Sequence, residues 1–261
     1  MSDSATSAFF GGIHVECRNM QWRSEYPLVL IHGFGGTMRL WDDLVDRLSA
    51  RPLIRYDLRG FGKSCLQKAT VSHSEDLSAL LDELDIGVCN IVGCSMGGSI
   101  ALNFALDHPQ RVDKLILVSP GLTAWEWSDE WRKHWQEIAR LAREGDMQSA
   151  RDLWIGHPLF ASTRNSLSFG ALRESIDEYS GVHWLRDDLE RAALPDMERL
   201  HEMKNATHLV SGRRDIDEFR LIADIIHSAV PACTRVDIDA GHMIPLEKPD
   251  QLAEIICDYL R

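Results

Sequence analysis

No apolar run in this 261-residue chain approaches the length of a membrane span, which needs about 20 residues. No C-x-x-C pair occurs among the cysteines at 17, 65, 89, 94, 233 and 257. Neither a disulfide scaffold nor a zinc ribbon is expected, and free thiols in a reducing cytoplasm are. The stretch from Met1 to Phe10 is rich in Ser and Ala and lacks a basic n-region, so it does not read as a signal peptide. No basic stripe is present, and the net charge of −12 argues against nucleic acid as a partner. Gly33-Phe34-Gly35-Gly36 does not complete the G-x-G-x-x-G pattern, and no H-E-x-x-H occurs. No metal and no cofactor are therefore expected.

What is present is apolar and regularly spaced. At 44% hydrophobic residues the chain can bury a sizeable core. Short runs at Ile13 to Arg18, Leu28 to Ile31, Leu53 to Tyr56, Val88 to Val92, Lys114 to Val118, Thr207 to Ser211 and Arg235 to Ile238 read as strands. The first of these is expected at an edge. Helical spacing falls between them, at Trp41 to Ser49, His73 to Leu84, Gly98 to Leu106, Phe219 to Val230 and Gln251 to Leu260. Alternation of this kind predicts a mostly parallel sheet with right-handed crossovers. The rhythm breaks from Gly121 to about Leu194. There no strand is evident, and Trp125, Trp127, Trp131, Trp135, Trp154 and Trp184 concentrate six of the eight tryptophans.

The chemistry-bearing residues sit at the ends of the predicted strands. Gly93-Cys94-Ser95-Met96-Gly97 is a G-x-S-x-G pentapeptide between a strand and a helix. A serine on such a turn is pushed out of the sheet, and its small neighbours avoid a clash. A serine hydroxyl needs a base to take its proton. His242, in Gly241-His242-Met243, can serve, since imidazole is largely neutral near neutral pH. An acid would then hold the imidazole tautomer. Asp215 and Asp217 compete for that role, and Asp237 and Asp239 also precede the histidine.

Taken with Leu28-Val29-Leu30-Ile31-His32-Gly33-Phe34-Gly35-Gly36, Tyr56-Asp57-Leu58-Arg59-Gly60-Phe61-Gly62-Lys63-Ser64 and Ser211-Gly212-Arg213-Arg214-Asp215, these segments resemble the α/β-hydrolase superfamily from about Tyr26 onward. The resemblance implies an eight-stranded, mostly parallel sheet flanked by helices. It implies a core of residues 1–120 and 195–261 and a helical cap of residues 121–194. It selects Asp215 as the acid and assigns Ser95 as nucleophile and His242 as base. It places the oxyanion hole on the backbone N–H groups of Met96 and Phe34. His32, Asp57, Arg59 and Ser64 are then structural, and Cys94 packs on the face opposite Ser95. Trp125, nearest the strand end at Pro120, and Met243 are the expected substrate contacts.

Serine in the elbow argues against the aspartyl-ester chemistry of epoxide hydrolases and haloalkane dehalogenases. Arg55-Tyr56-Asp57-Leu58-Arg59-Gly60 and Ser95-Met96-Gly97-Gly98 look like the cap-bearing esterases and enol-lactonases. A small-molecule carboxylic ester or lactone is the expected substrate. The C–C hydrolases of ring-fission products are the alternative, from which Phe34-Gly35-Gly36 and Cys94 depart. A slow-turnover small-molecule receptor on the same scaffold is the third reading.

Overall fold

The computed structural model describes residues 5–21, 25–48, 51–66, 70–191 and 193–261. The first four residues, the expected helix end at Ser49 and position 192 of the expected cap lie outside them.

Eight strands form one sheet: β1 Ala5–Phe10, β2 Ile13–Arg18, β3 Leu28–Ile31, β4 Leu53–Tyr56, β5 Cys89–Cys94, β6 Val112–Val118, β7 Ala206–Gly212 and β8 Cys233–Ile238. Their order across the sheet is β1-β2-β4-β3-β5-β6-β7-β8. β1, β2 and β4 pair antiparallel, and every pairing from β4 to β8 is parallel. β3 and β5 are buried at every residue. That is why they read as continuous apolar runs, with helices covering both faces. In the outermost strand β1 most residues are exposed.

Three helices accompany the first half of the sheet: α1 Asp42–Val45, α2 His73–Glu83 and α3 Met96–Asp107. Between β6 and β7 the chain forms α4 Asp129–Arg143, α5 Met147–Gly156, α6 Ala161–Arg164, α7 Phe169–Glu178 and α8 Val182–Leu185. Then come α9 Asp217–Ala229, α10 Ile244–Glu247 and α11 Pro249–Tyr259. Ser128 caps α4 by accepting from Trp131 N–H, and Asp146 caps α5 by accepting from Ser149 N–H.

Two elements differ from the sequence expectation. The strand Ile13–Arg18 is second in the sheet, since β1 pairs with it from Ala5↔Arg18 to Phe10↔Ile13. The turn that brings them together is Gly11-Gly12, both at positive φ (54° and 81°), as a tight hairpin needs. The helix expected from Trp41 starts earlier and is shorter. A 3-10 turn, Met38–Trp41, capped by Thr37, runs directly into α1.

Glycines set how closely the parts near Ser95 approach. A Cβ on Gly97 would stand 2.3 Å from the Ile31 carbonyl oxygen and 2.5 Å from that of His32. A Cβ on Gly93 would stand 2.2 Å from the Gly97 carbonyl oxygen. By contrast, Gly170 in α7 has open space where a Cβ would go. Gly97→Ala is expected to lower stability by about 1–3 kcal/mol or more, because backbone must move. Gly170→Ala is expected to raise it by about 0.4–1 kcal/mol through the unfolded chain. Thermal unfolding of the two variants checks both signs.

Candidate active site

The loops that follow β3, β5, β7 and β8 leave the sheet at one edge, the carboxyl ends of its parallel strands. Open α/β sheets place their ligands there. Ser95 follows β5 directly and adopts φ 55°, ψ −119°. A non-glycine residue rarely occupies that conformation, and such strain clusters at functional sites. The conformation turns the chain from the strand into α3. Cys94 is fully buried behind it, and burial pushes its thiol well above the usual range. It packs and is not ionised.

Asp215 and His242 meet across the gap between the β7 and β8 loops. The His242 Nδ1–H donates to Asp215 Oδ2 at 2.8 Å, and both side chains are 1% exposed. The other carboxylate oxygen, Oδ1, accepts the Ile216 N–H at 2.8 Å. The acid is therefore held at both oxygens. The close fit of the two loops again rests on a glycine: a Cβ on Gly212 would stand 2.2 Å from the Gly241 carbonyl oxygen. Asp217, the competing acid, is fully exposed at the start of α9 and pairs with Arg220 at 3.2 Å. Asp237 and Asp239 pair with Arg235 and Arg214.

The remaining ring nitrogen, His242 Nε2, is buried and has no hydrogen-bond partner among the described residues. Ser95 and His242 line one cavity of about 960 Å³. The loop after β3 lies against the serine, since a Cβ on Gly33 would be 3.1 Å from Ser95 Cβ. Among the described residues, neither Phe34 N–H nor Met96 N–H donates to a backbone carbonyl. Met96 is the first residue of α3, so its N–H carries the positive end of that helix.

His32, beside this loop, is a buried brace. Its Nδ1–H donates to the Gly33 carbonyl at 2.8 Å and its Nε2 accepts the Leu58 N–H at 2.9 Å. Burial lowers its pKa to about 4, so the ring is neutral. Asp57, Arg59 and Ser64 are likewise structural. Asp57 accepts the Met38 and Lys63 N–H groups at 2.8 and 2.9 Å. Arg59 makes a bidentate pair with Asp76 at 2.8 and 3.0 Å. Ser64 Oγ donates to the Asp57 carbonyl at 2.6 Å.

The cavity wall is aromatic. Phe34, Trp127, Trp131, Trp135, Trp154 and Phe219 line it, together with Met96 and Met243. Phe34 stands edge-on to Trp135 at 5.0 Å and to Trp154 at 5.6 Å. Phe219 packs on the His242 ring at 4.2 Å. Trp125 is not among the lining residues. The preceding Ala124 takes positive φ (60°) and turns the chain, and the Trp125 ring packs against the core. The neighbour two positions on, Trp127, takes the place expected of it and stacks on Trp131 at 4.3 Å.

Glu247 was not legible as a site residue. It accepts Ser162 Oγ–H at 2.7 Å, Thr163 Oγ1–H at 2.6 Å and Gly241 N–H at 2.8 Å. It thus ties α6 to the loop that carries His242. Among the described residues, His73, His183 and Glu190, side chains of the types that can ligate metals, also converge on the cavity wall.

A family model described as the alpha/beta hydrolase fold matches residues 26–179. The chain belongs to that family. Over 250 residues this hydrolase is 26% identical to a Bacillus subtilis protein named as a candidate 2-succinyl-6-hydroxy-2,4-cyclohexadiene-1-carboxylate synthase, covering 89% of each chain. It spans 62% and 27% of the length of two further curated relatives that it matches. Among solved structures it is similar to MenH of S. aureus, with TM-score 0.82 and 21% identity over 95% of this chain and 97% of that one. It is also similar to the enol-lactonase of Burkholderia xenovorans LB400, with TM-score 0.81 and 23% identity over 98% and 99% of the two chains. At these identities the structural likeness establishes the fold. No helix among the described residues is long and apolar enough to cross a membrane.

Burial lowers the pKa of His157 to about 4, as it does for His32. Unfolding would restore each to its ordinary value near 6.5. Between about 6.5 and about 4 the unfolded chain then binds more protons than the folded one, so stability falls as pH drops through that window. Denaturant titrations across it are expected to show that decline, with a shallower slope in His157→Gln. A slope unchanged by that substitution would mean that His157 is not held neutral.

Proposed function

We propose that this chain is a serine hydrolase that cleaves an uncharged carboxylic ester or lactone through an acyl-enzyme on Ser95. The observation that carries this reading is the placement of His242. Its ring is fixed by Asp215 through Nδ1, and its Nε2 is left without a partner in the cavity that also holds the strained Ser95.

In this mechanism His242 Nε2 takes the proton of Ser95 Oγ as the oxygen attacks the substrate carbonyl. Asp215 stabilises the imidazolium that forms. The N–H groups of Met96 and Phe34 receive the developing oxyanion. The imidazolium returns its proton to the leaving alkoxide oxygen. A water molecule, deprotonated in turn by His242, attacks the acyl-enzyme; the acyl–Oγ bond breaks, the imidazolium returns its proton to Ser95 Oγ, and the acid leaves. No cofactor enters any step.

The wall argues for an uncharged substrate. Its described residues include four arginines, at 39, 132, 186 and 191, and six carboxylates, at 42, 43, 174, 178, 187 and 190. Each of those arginines is already paired: Arg39 with Glu174, Arg132 with Asp129, Arg186 with Asp188 and Arg191 with Glu75. The synthase named for the Bacillus subtilis relative makes a product with two carboxyl groups, counting its succinyl chain. This wall offers no unpaired arginine among its described residues to meet them. That supports ester or lactone cleavage over the reaction named for that relative. The cavity volume is at the upper end of small-molecule sites, about 300–1,000 Å³, so a bulky apolar acyl or alcohol group fits this reading. Residues 121–194 act as the cap that supplies the tryptophans. The six free cysteines support a reducing, cytoplasmic setting.

Ser95→Ala is expected to abolish hydrolysis of nitrophenyl esters while the far-ultraviolet circular dichroism stays unchanged. Asp215→Asn is expected to lower kcat by about 10⁴-fold, and Asp217→Asn to leave it near the parent value. Retained turnover in Ser95→Ala, with contaminating esterase excluded, removes Ser95 from the mechanism. Tight ligand binding with negligible turnover by the parent chain would favour a receptor.

Trp135→Ala is expected to change the kcat/KM ratio between large and small acyl esters by about tenfold or more, the scale of one or two lost apolar contacts. Trp125→Ala is expected to lower the melting temperature and leave that ratio unchanged. A substrate panel run on both variants checks this division of labour.

A further inference from the structure

His73, His183 and Glu190 are distant in sequence, yet their donor atoms all lie within 4.8 Å of one another. A short backbone bridge sets the approach. Val71 N–H donates to the Leu189 carbonyl at 2.8 Å, and Arg191 N–H donates to the Val71 carbonyl at 2.7 Å. The bridge holds the entry to α2 against residues 189–191, with His73 just beyond it on one side and Glu190 on the other. His183 is fixed separately, from α8. Its Nδ1 shares a hydrogen bond of 2.7 Å with Tyr179 Oη, and its ring stacks on Phe61 at 4.3 Å. That leaves Nε2 as its open nitrogen.

Both imidazoles are more than nine-tenths buried, at 9% and 8% exposure. Even so, His73 Nδ1, His73 Nε2 and His183 Nε2 have no hydrogen-bond partner among the described residues. Glu190 Oε1 lies 3.5 Å from His73 Nε2 and 4.0 Å from His183 Nε2. Buried polar atoms without partners are uncommon and call for a reason. Here the two Nε2 atoms, both facing Glu190, point to one.

We propose that His73, His183 and Glu190 bind one divalent transition-metal ion of the zinc class. Two imidazoles and a carboxylate suit such an ion, whereas Mg²⁺ and Ca²⁺ take oxygen ligands. With metal–ligand bonds of about 2.0–2.1 Å, ligands of a tetrahedral site stand about 3.4 Å apart. The observed separations reach that with small side-chain rotations, and Glu190 is half-exposed and free to make them. The Tyr179 hydroxyl on His183 Nδ1 is the kind of outer partner that orients a ligating imidazole. The ion ties α2, beside the sheet, to the segment from α8 to residue 190. His183 also stands 5.8 Å from the Phe34 ring, so the clamp stiffens the cavity wall next to the loop after β3. The site does not depend on the chemistry assigned to Ser95.

The test is a titration of the chelator-treated full chain with Zn²⁺ by calorimetry and with Co²⁺ by absorption. One equivalent is expected to bind. The Co²⁺ spectrum is expected to show d–d bands without a thiolate charge-transfer band, since the six free cysteines are the competing ligands. His73→Ala and Glu190→Gln are each expected to weaken binding by at least about tenfold, the loss seen when even outer partners are removed. Zn²⁺ is expected to raise the melting temperature of the parent chain and not that of Glu190→Gln. No stoichiometric binding, a thiolate band, or parent-like affinity in a folded Glu190→Gln overturns the site.

Discussion

Helix α3 starts so close to strand β3 that no Cβ fits between Gly97 and the carbonyls of Ile31 and His32. The rest of the site depends on that contact. It forces the turn between β5 and α3 to be tight, and the tight turn holds Ser95 at positive φ. It brings the Gly33 backbone against the serine, and so brings Phe34 and Met96 to the same end of the sheet. The strain at Ser95 is maintained because β3 and β6 pair with β5 up to Gly93 and Cys94, and leave the turn no room to relax.

On the other side of the site, the constraint is hydrogen bonding to buried charge. Asp215 is buried with both carboxylate oxygens occupied, one by the Ile216 N–H and one by His242. The Glu247 side chain is 3% exposed and accepts three donors, two of them from α6. A buried carboxylate left short of donors is costly, so these contacts resist separation. The helical segment over the cavity is thereby coupled to the loop that carries His242. The aromatic edge contacts of Phe34 with Trp135 and Trp154 make a second, apolar connection between the same segment and the loop after β3. Access to the cavity and the order of its polar groups are linked through these two contacts.

Several features were visible in local sequence because their cause is local. The four-residue apolar run Leu28–Ile31 became the buried strand β3, since a strand covered on both faces has no polar side. The glycines around Ser95 marked a turn where backbone meets backbone. Strand β1 escaped notice because Ser7 and Ala8 carry little strand preference. Trp125 was the expected cavity residue by its distance from Pro120 along the chain. The positive φ at Ala124 turned it away, and no side-chain pattern announces such a turn at alanine.

The amino-acid sequence by itself determined the parallel part of the sheet, the elbow and the order in which Ser95, Asp215 and His242 arrive, because periodicity and glycine placement act within a few residues. Only the tertiary structure decided which acid lies against His242, which tryptophans line the cavity, that Glu247 holds Gly241, and that His73, His183 and Glu190 share one corner. Each of these is a contact between segments far apart in the chain. Its geometry depends on how β7 lies beside β8, and on how the helices between β6 and β7 settle on the sheet. Packing and buried hydrogen bonds choose among the candidates there, and neither has a signature within a single stretch of residues.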